Sequence, residues 1–363
     1  MKKIKVLIVE DSAFMRKLIS DFLNEDPRID VMGTARNGED ALLKIKTMKP
    51  DVVTLDIEMP IMNGLEALKR IMNECPTPVV MLSSTTLEGA ENTLRAMQYG
   101  AFDFIAKPSG AISLDLHRIK EELKEKVVEA SKTSVHKLQK NSIIGKTTLS
   151  EAKGYSKIEP KNRNISVPYS WNSASKKLIC IGTSTGGPRA LQYVLTTFPK
   201  TIDAPILVVQ HMPPGFTKSL ASRLDTICDV HVKEAEEGEI IQKGTVYIAP
   251  GGYHLKVRKV GSSLAIRLDQ TPQKNGHRPS VDVMFESVSE LSDYSVIAVI
   301  MTGMGTDGAK GLIELKKNRN TVCIAEAQET SIVFGMPKAA IATNMVDIIE
   351  RVEHIGEAIL KYC

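Results

Sequence analysis

Three residues in the carboxy-terminal half have the types that nucleophilic catalysis requires. Ser184 stands in the run GTSTGG, between an apolar segment and a helical pattern that begins near Arg189. His211 closes the apolar segment APILVVQH, and Asp307 lies in MTGMGTDG, just after the apolar segment SVIAVI. A serine needs an imidazole to take its proton, and the imidazole needs a carboxylate that fixes its tautomer. The three positions therefore predict a nucleophile, a general base and an orienting acid.

The glycine-rich turn around Ser184 has a second interpretation. Such strand-to-helix turns also cradle phosphate groups, as in dinucleotide-binding folds. However, the run lacks the GxGxxG spacing, and His211 closes the next apolar segment, where an acidic residue would hold a ribose. The GxSxG pattern fits a nucleophile elbow, in which the serine lies beside backbone N–H groups and a helix N-terminus. Together with His211 and Asp307, the turn favours catalysis over phosphate binding.

The sequence offers more than one histidine for the role of base. His277, in NGHRPSVD, is the rival of His211, and His254 follows a Gly-Gly turn where it would contact substrate or nothing. His211 is favoured because it ends the strand predicted to lie beside the strand that carries Ser184. The order Ser, His, Asp differs from that of α/β-hydrolases, whose acid precedes the histidine, so a convergent triad is predicted.

A second group of polar residues lies in the amino-terminal half. Glu10 and Asp11 follow the first apolar segment, and Asp56 ends the third. Three neighbouring carboxylates repel one another unless they share a proton or a hard cation, so the cluster predicts an Mg²⁺ site. Ser83 and Lys107 end two later segments and add a hydroxyl and an ammonium. Each residue alone reads as an ordinary turn or loop residue, but the set predicts phosphoryl transfer to an aspartate.

These residues require elements that bring strand ends together. Short apolar segments alternate with amphipathic helical patterns in residues 1 to 130, and again in residues 176 to 363. This alternation predicts an α/β fold with a doubly wound parallel sheet in each part, and ligands of such sheets bind at the carboxyl ends of the strands. Residues 131 to 175 are polar, basic and without apolar periodicity, so a flexible linker is predicted there.

The composition narrows the class of protein further. Between Lys132 and Lys177 there are ten basic residues against two acids, while the rest of the chain is net acidic. A basic tether between acidic domains does not predict nucleic-acid binding. No apolar run has the length of a membrane span, and the five scattered cysteines show no metal-like pairing. We therefore expect a cytoplasmic protein with reduced thiols and no membrane insertion.

The first part of the chain resembles the receiver domains of two-component response regulators. The resemblance rests on VLIVEDSAFMR, LDIEMPIMNG and FDFIAKP and extends over residues 1 to 108. It implies a flavodoxin-like fold with Asp56 as the phosphoacceptor. It also implies that Mg²⁺ is held by Glu10, Asp11, Asp56 and the backbone carbonyl of Glu58.

The receiver resemblance also assigns roles to three further positions. Ser83 and Phe104 occupy the switch positions, and Lys107 occupies the position that senses phosphate. A chemotaxis histidine kinase is the implied phosphodonor. The domain is then expected to control whatever the second domain does.

The second part resembles the catalytic domain of the chemotaxis protein-glutamate methylesterases. The resemblance rests on GTSTGGPRAL, VVQHMP, IAPGGYHL, HRPSVDVMF, MTGMGTDGAKG and IVFGMPKAAI. It implies a Rossmann-like fold that needs no cofactor, demethylates glutamates of methyl-accepting chemoreceptors and deamidates selected glutamines. Ser184, His211 and Asp307 take the triad roles, and backbone groups near Thr185 and Met304 form the oxyanion neighbourhood.

Two other functional classes compete with this interpretation. A response regulator that binds DNA would need a compact helical output domain, whereas the second part alternates strands and helices. A phosphorylation-dependent scaffold with an inactive hydrolase fold has the same sequence signals, because spacing alone does not align a triad. Release of methanol from a methylated receptor separates an active esterase from such a scaffold.

Overall fold

The chain folds into two compact units, Met1–Thr147 and Thr148–Cys363, in a computed structural model that describes residues 2–107, 116–140, 175–317 and 320–363. Each unit has its own parallel sheet, which confirms the α/β class and the doubly wound sheets expected from the alternating pattern. No helix in these described ranges is long and apolar enough to cross a membrane.

The first unit is built on a five-stranded parallel sheet with the order β2-β1-β3-β4-β5. This is the flavodoxin-like order, with its switch point between β1 and β3. Helices α1 and α5 pack together, and α2, α3 and α4 pack in succession. The strands are β1 Ile4–Val9, β2 Ile29–Ala35, β3 Val52–Asp56, β4 Val79–Ser83 and β5 Asp103–Ala106, and the helices are α1 Ala13–Asn24, α2 Gly38–Met48, α3 Gly64–Glu74, α4 Leu87–Tyr99, α5 Leu116–Lys132 and α6 Val135–Lys140.

The strand that carries the predicted phosphoacceptor is buried on both faces, as strands of parallel sheets are. Asp56 is its last residue, and the chain then turns back into α3, which begins at Gly64. A Cβ atom on Gly64 would lie only 2.0 Å from the backbone oxygen of Asp56. The glycine therefore allows the helix to start directly against the end of β3.

The end of the first unit differs from the sequence-based expectation. The segment predicted as a linker, residues 131 to 175, begins with the last turn of α5 and the short helix α6. Leu138 is fully buried, and the Gln139 side chain donates to the carbonyl of Met72 at 2.6 Å. The Gln139 amide thus bonds α6 to α3, although the segment shows no apolar periodicity. The rest of the predicted linker, up to residue 174, lies outside the described residues, so its extent stays a prediction.

The second unit is built on a seven-stranded parallel sheet with the order β14-β13-β12-β6-β7-β9-β8. A separate antiparallel hairpin, β10 with β11, confirms the hairpin predicted from HLKVRKVGSSLAIRL. The strands are β6 Lys176–Thr183, β7 Ile206–Gln210, β8 His231–Glu234, β9 Thr245–Ile248, β10 His254–Val260, β11 Ser263–Asp269, β12 Tyr294–Ile300, β13 Thr321–Glu326 and β14 Ile348–Glu350. The helices are α7 Gly187–Leu195, α8 Phe216–Asp225, α9 Val281–Ser289, α10 Ala309–Lys317, α11 Met336–Ala342 and α12 Val352–Leu360.

The order of the second sheet determines where a site can form. From β6 the chain continues to β7 on one side, and it later returns to β12 on the other side of β6. The loops after β6 and β12 therefore leave the sheet in opposite directions and open a crevice, where ligands of such sheets bind. Ser184, His211 and Asp307 follow β6, β7 and β12, so all three lie at this edge.

Candidate functional sites

Ser184, the predicted nucleophile, lies in the tight turn between β6 and α7 and is half-buried. Its backbone N–H donates to the carbonyl of Thr302 at 3.0 Å, and its own carbonyl accepts from Gly187 at 2.8 Å. Gly186, the residue before α7, has φ 81°. A side chain there would be strained and would meet Ile332 at 2.7 Å. The backbone on both sides of the serine is therefore fixed.

The predicted base and acid form a hydrogen-bonded pair. Nε2 of His211 lies 2.9 Å from Oδ2 of Asp307, and the two side chains are 5% and 1% exposed. Nδ1 of His211 is also buried, and it has no hydrogen-bond partner in the described part of the chain. With Nε2 bonded to the acid, Nδ1 is the ring nitrogen left to accept a proton.

Asp307 is held by several donors besides His211. Its Oδ1 accepts from the hydroxyl of Ser280 at 2.8 Å, and its Oδ2 accepts from the backbone N–H of Val281 at 2.6 Å. Burial alone would raise the pKa of Asp307, but the hydrogen bond and charge of His211, with the donors around it, hold that pKa below its usual range. The carboxylate is thus charged and fixed in orientation.

Gln210 connects the serine and the histidine, a role that the sequence did not reveal. Its side chain is buried, and its Nε2 donates to the carbonyls of Ser184 at 3.0 Å and His211 at 3.2 Å. Its Oε1 accepts from the hydroxyl of Thr183 at 2.5 Å. The only sequence signal was an amide at the last position of the apolar strand β7. The amide ties the end of β6 to the end of β7.

His277, the rival base, stacks on His211 rather than replacing it beside the acid. The ring centroids are 3.8 Å apart, with 11° between the ring planes. The structure thus brings both histidines together at the edge of the sheet, but the bond to Asp307 belongs to His211. This geometry favours His211 as the base, and it places the ring of His277 against the face of the His211 ring.

The candidate His254 and the thiol of Cys180 are both buried. Nε2 of His254 donates to the carbonyl of Pro272 at 3.1 Å, and burial lowers the pKa of this histidine. Cys180 lies within β6, and its burial raises the pKa of its thiol, which keeps it protonated. Neither group is placed for attack on a substrate.

The neighbourhood predicted to bind an oxyanion is held by Thr302, at the end of β12. Its hydroxyl donates to the carbonyl of Thr185 at 2.9 Å, and its backbone N–H donates to the buried carboxylate of Glu326 at 2.8 Å. The N–H of Ser184 bonds to Thr302, as described, so it is not one of the donors toward a substrate. Met304 is half-buried in the following loop. The assignment of Thr185 and Met304 to the oxyanion site stays a prediction.

The three acids of the first unit come together at the β1/β3 switch point. Glu10, Asp11 and Asp56 each offer a carboxylate oxygen within 4.8 Å of the others. Nζ of Lys107 lies 2.7 Å from Oδ1 of Asp56 and 2.9 Å from Oε2 of Glu10. The lysine therefore neutralises part of the cluster.

The electrostatics of this pocket fit a divalent cation. Burial raises the pKa of Glu10 and of Asp56, and the charge of Asp56 raises the pKa of Glu10 further. Burial lowers the pKa of Lys107, but its two carboxylate partners outweigh that effect and raise the pKa. Oδ2 of Asp56 is buried without a hydrogen-bond partner among the described residues. Carboxylate oxygens in this arrangement are the ligands that Mg²⁺ prefers.

Binding of Mg²⁺ should therefore stabilise the first unit. At ten times its dissociation constant the ion adds about 1.4 kcal/mol, which corresponds to a rise in Tm of about 5 °C for a domain of this size. Thermal unfolding with Mg²⁺ and with a chelator measures this rise. Asp11→Asn should reduce it, whereas the exposed Asp30→Asn, distant in sequence from the cluster, should not. A rise that is equal in the wild type and in Asp11→Asn would exclude the cluster as the site.

The predicted switch residues, Ser83 and Phe104, lie in β4 and β5. Ser83 is buried, and its hydroxyl donates to the carbonyl of Gly89 in α4 at 3.0 Å. Phe104 is buried in β5, and its carbonyl accepts from Nζ of Lys126 at 2.6 Å. In this structure both side chains are engaged within the unit, so a signalling role requires them to move. The assignment of these roles stays a prediction.

Comparison with known proteins relates the chain to two families. Residues 179–359 match the family model of the CheB methylesterase, and residues 6–117 match that of the response regulator receiver domain. A protein-glutamate methylesterase/protein-glutamine glutaminase from Geobacillus kaustophilus HTA426 is 55% identical over 99% of both chains. A protein of the same name from Bacillus subtilis 168 is 49% identical over 98% of this chain and 97% of its own. The crystal structure of the Thermotoga maritima CheB methylesterase catalytic domain, 45% identical, has a TM-score of 0.50 and covers 52% of this chain and 100% of its own.

Proposed function

Since the chain belongs to the CheB methylesterase family, with a receiver domain ahead of the catalytic domain, we propose that it hydrolyses glutamyl methyl esters on chemoreceptors and deamidates selected receptor glutamines. Ser184 is the nucleophile, His211 the general base and Asp307 its orienting acid. Phosphorylation at Asp56 activates the hydrolase. We expect the reaction to take place in the cytoplasm, because the proposed receptor substrates are modified there and the proposed kinase acts there.

The observation that carries the catalytic proposal is the buried pair of His211 and Asp307 at the strand end beside the serine turn. Nε2 is bonded to the acid, and Nδ1 has no partner among the described residues. This leaves Nδ1 as the atom that takes the proton of the Ser184 hydroxyl. Asp307 keeps the ring in the tautomer that has its proton on Nε2, and it stabilises the imidazolium that forms.

The reaction then proceeds in two halves. Oγ of Ser184 attacks the ester carbonyl while its proton passes to Nδ1 of His211, and the same proton is returned to the departing methoxide, which leaves as methanol. Water next gives a proton to Nδ1 and attacks the acyl carbon, and the imidazolium returns that proton to Oγ of Ser184 as the acyl–oxygen bond breaks. This step releases the glutamate and restores the serine and the neutral base. With a glutamine substrate the leaving group is ammonia. Backbone groups near Thr185 and Met304, with the N-terminus of α7, stabilise the oxyanion.

In the receiver unit, Asp56 accepts the phosphoryl group through a carboxylate oxygen. Glu10, Asp11, Asp56 and the backbone carbonyl of Glu58 would hold Mg²⁺, and the ion would supply positive charge to the phosphoryl oxygens. Lys107 already contacts Asp56 at 2.7 Å and adds its positive charge to the same oxygens. A chemotaxis histidine kinase is the donor.

Phosphorylation acts on the switch residues Ser83 in β4 and Phe104 in β5. Ser83 exchanges its bond to Gly89 for a bond to the new dianion, and Phe104 changes its packing in β5. A few charge-assisted hydrogen bonds supply the few kcal/mol that convert a mostly inactive population into a mostly active one.

We expect a small phosphodonor with Mg²⁺ to label Asp56 and to raise esterase turnover on the order of tenfold. The label should be stable in acid and labile in base, as expected of an acyl phosphate. Asp56→Asn should lose both the label and the response, because the accepting oxygen is gone. Lys107→Ala should accept phosphate but respond poorly.

The control for this experiment is Asp30→Asn, which should behave like the wild type. Stoichiometric labelling of Asp56→Asn would exclude Asp56 as the acceptor. If the wild type is labelled but its turnover does not change, activation by phosphorylation is excluded while the esterase proposal is untouched.

A further inference from the structure

A short turn before α9 contacts both members of the catalytic pair. The backbone N–H of Lys274 donates to the carbonyl of His277 at 3.0 Å, and that of His277 donates back at 2.9 Å. Between them, Asn275 and Gly276 have φ values of 54° and 80°. Two central residues with positive φ define a type I′ turn, for which Asn-Gly is the favoured sequence. The turn places His277 on the ring of His211.

The Asn275 side chain bridges two buried carboxylates. Its Nδ2 donates to Oδ1 of Asp307 at 2.8 Å and to Oδ2 of Asp282 at 2.8 Å. One amide group has two hydrogens, so it can satisfy both acceptors at once. Asp307 is thereby joined to a second acid that takes no part in the proposed reaction.

Asp282 is itself anchored. It is fully buried, and its Oδ1 accepts from the backbone N–H groups of Gly308 at 2.9 Å and Gly311 at 2.7 Å. These groups stand at the start of α10, where a carboxylate is stabilised by the unpaired N–H groups and the helix dipole. The chain of bonds therefore runs from the N-terminus of α10 through Asp282 and Asn275 to Asp307.

The bridge matters because the two carboxylates repel each other. Burial raises the pKa of Asp282, and the charge of Asp307 raises it further, whereas the bonds from Gly311 and Asn275 lower it. The Asn275 amide also contributes to the low pKa of Asp307. A donor between two buried acids offsets a repulsion that water cannot screen.

We propose that Asn275 is a positioning residue that, anchored on Asp282, holds Asp307 charged and directed at His211. The proposal rests on the proposed role of Asp307 as the acid of the triad. Asn275 touches neither substrate nor the reacting atoms. It acts by removing the alternative orientation in which Asp307 turns from His211 or takes up a proton.

The competing explanation is that Asn275 is present only because the turn requires it. Two substitutions separate the explanations. Asn275→Gly keeps the turn, since Gly-Gly also adopts type I′, but removes the amide. Asn275→Asp keeps both the turn and the side-chain size, but replaces the donor by a third acid.

The other titratable groups around this network are few among the described residues. His211 bonds to Asp307, and His277 stacks on His211. Lys274 precedes Asn275 and is ion-paired with Glu286. All of them are present in both variants, so a difference between the variants reports on position 275.

The test measures kcat, KM and Tm of the full chain with methylated receptor across a range of pH. We expect Asn275→Gly to lower kcat about tenfold with little change in KM, the size expected when a hydrogen bond to a charged group is lost. Asn275→Asp should lower kcat about a hundredfold at neutral pH. As pH falls, the introduced carboxyl is protonated and donates a hydrogen bond again, so its turnover should approach or exceed that of Asn275→Gly.

Two results would overturn the proposal. One is that both variants keep wild-type kcat throughout the pH range, as expected if only the turn matters, because both keep the turn. The other is that both lose activity equally at every pH, because the loss would then not depend on whether residue 275 can donate a hydrogen bond. Ser184→Ala is measured beside them. If this variant retains turnover, the proposed triad is wrong. If Ser184→Ala loses turnover while both Asn275 variants keep full activity, only the positioning role of Asn275 is rejected.

Discussion

Replacement of Ser184 by alanine is expected to lower the rate of methanol release by at least about a thousandfold, because the attacking oxygen is lost. The fold should survive. The contacts that hold residue 184 are backbone bonds to Thr302, Gly187 and Gln210, and alanine keeps all of them. Initial rates with methylated receptor measure the loss, and thermal unfolding measures the intact fold.

A matched control for this experiment is Ser222→Ala, an exposed serine of α8 in the same unit. It should keep wild-type rates and an unchanged Tm. If Ser184→Ala kept more than about a tenth of the wild-type rate, Ser184 would not be the nucleophile.

Replacement of His211 by alanine should lower the rate about as much as loss of the serine, because it removes the ring that is bonded to Asp307. His277→Ala should lose much less activity, because it leaves the proton acceptor in place. It removes only a ring that stacks on the base, with 3.8 Å between the ring centroids. Asp307→Asn should lower kcat by about ten-thousandfold, the cost seen when a triad histidine is left in the wrong tautomer. All variants are compared at equal folded concentration.

The comparison of the two histidines also tests the choice made from the sequence. If His277→Ala lost more activity than His211→Ala, the base would be His277, and the pair of His211 and Asp307 would be structural. Equal, complete losses in both would indicate that the stacked rings act as one unit.

The positions of the principal residues could be predicted because parallel α/β sheets put polar residues at strand ends. Ser184, His211 and Asp307 each follow an apolar strand, and the structure places all three at one edge of one sheet. Glu10 and Asp56 follow the same rule in the first unit. The alternation of strands and helices also excluded the compact helical output domain that a DNA-binding regulator would need.

The contacts between loops could not be predicted in this way. Asn275 reads from the sequence as a turn residue, and Asp282 reads as an acid in the first turn of α9. Only the fold brings the Asn275 side chain and the backbone N–H of Asp282 to Asp307, 32 and 25 residues away along the chain. The same holds for Gln210, which had no sequence signal beyond its polarity at a buried strand end. Hydrogen bonds across a crevice depend on tertiary geometry that periodicity does not encode.

Local packing explains the other departure, at the end of the receiver unit. A search for apolar periodicity misses a helix as short as α6, which buries Leu138 and bonds the Gln139 side chain to the carbonyl of Met72. Composition alone described the region from residue 131 as linker, because basic and polar residues dominate it. A helix of one or two turns is too short to show the repeat of apolar residues on which such a prediction depends.

The most direct test of the account is the release of methanol from purified, methylated chemoreceptor by the purified chain, with and without a small phosphodonor and Mg²⁺. We predict steady release by the wild type, faster release after addition of the phosphodonor, and almost none from Ser184→Ala. Absence of methanol release from a folded wild-type chain that has been phosphorylated at Asp56 would contradict the account, because it would leave a phosphorylated scaffold without esterase activity.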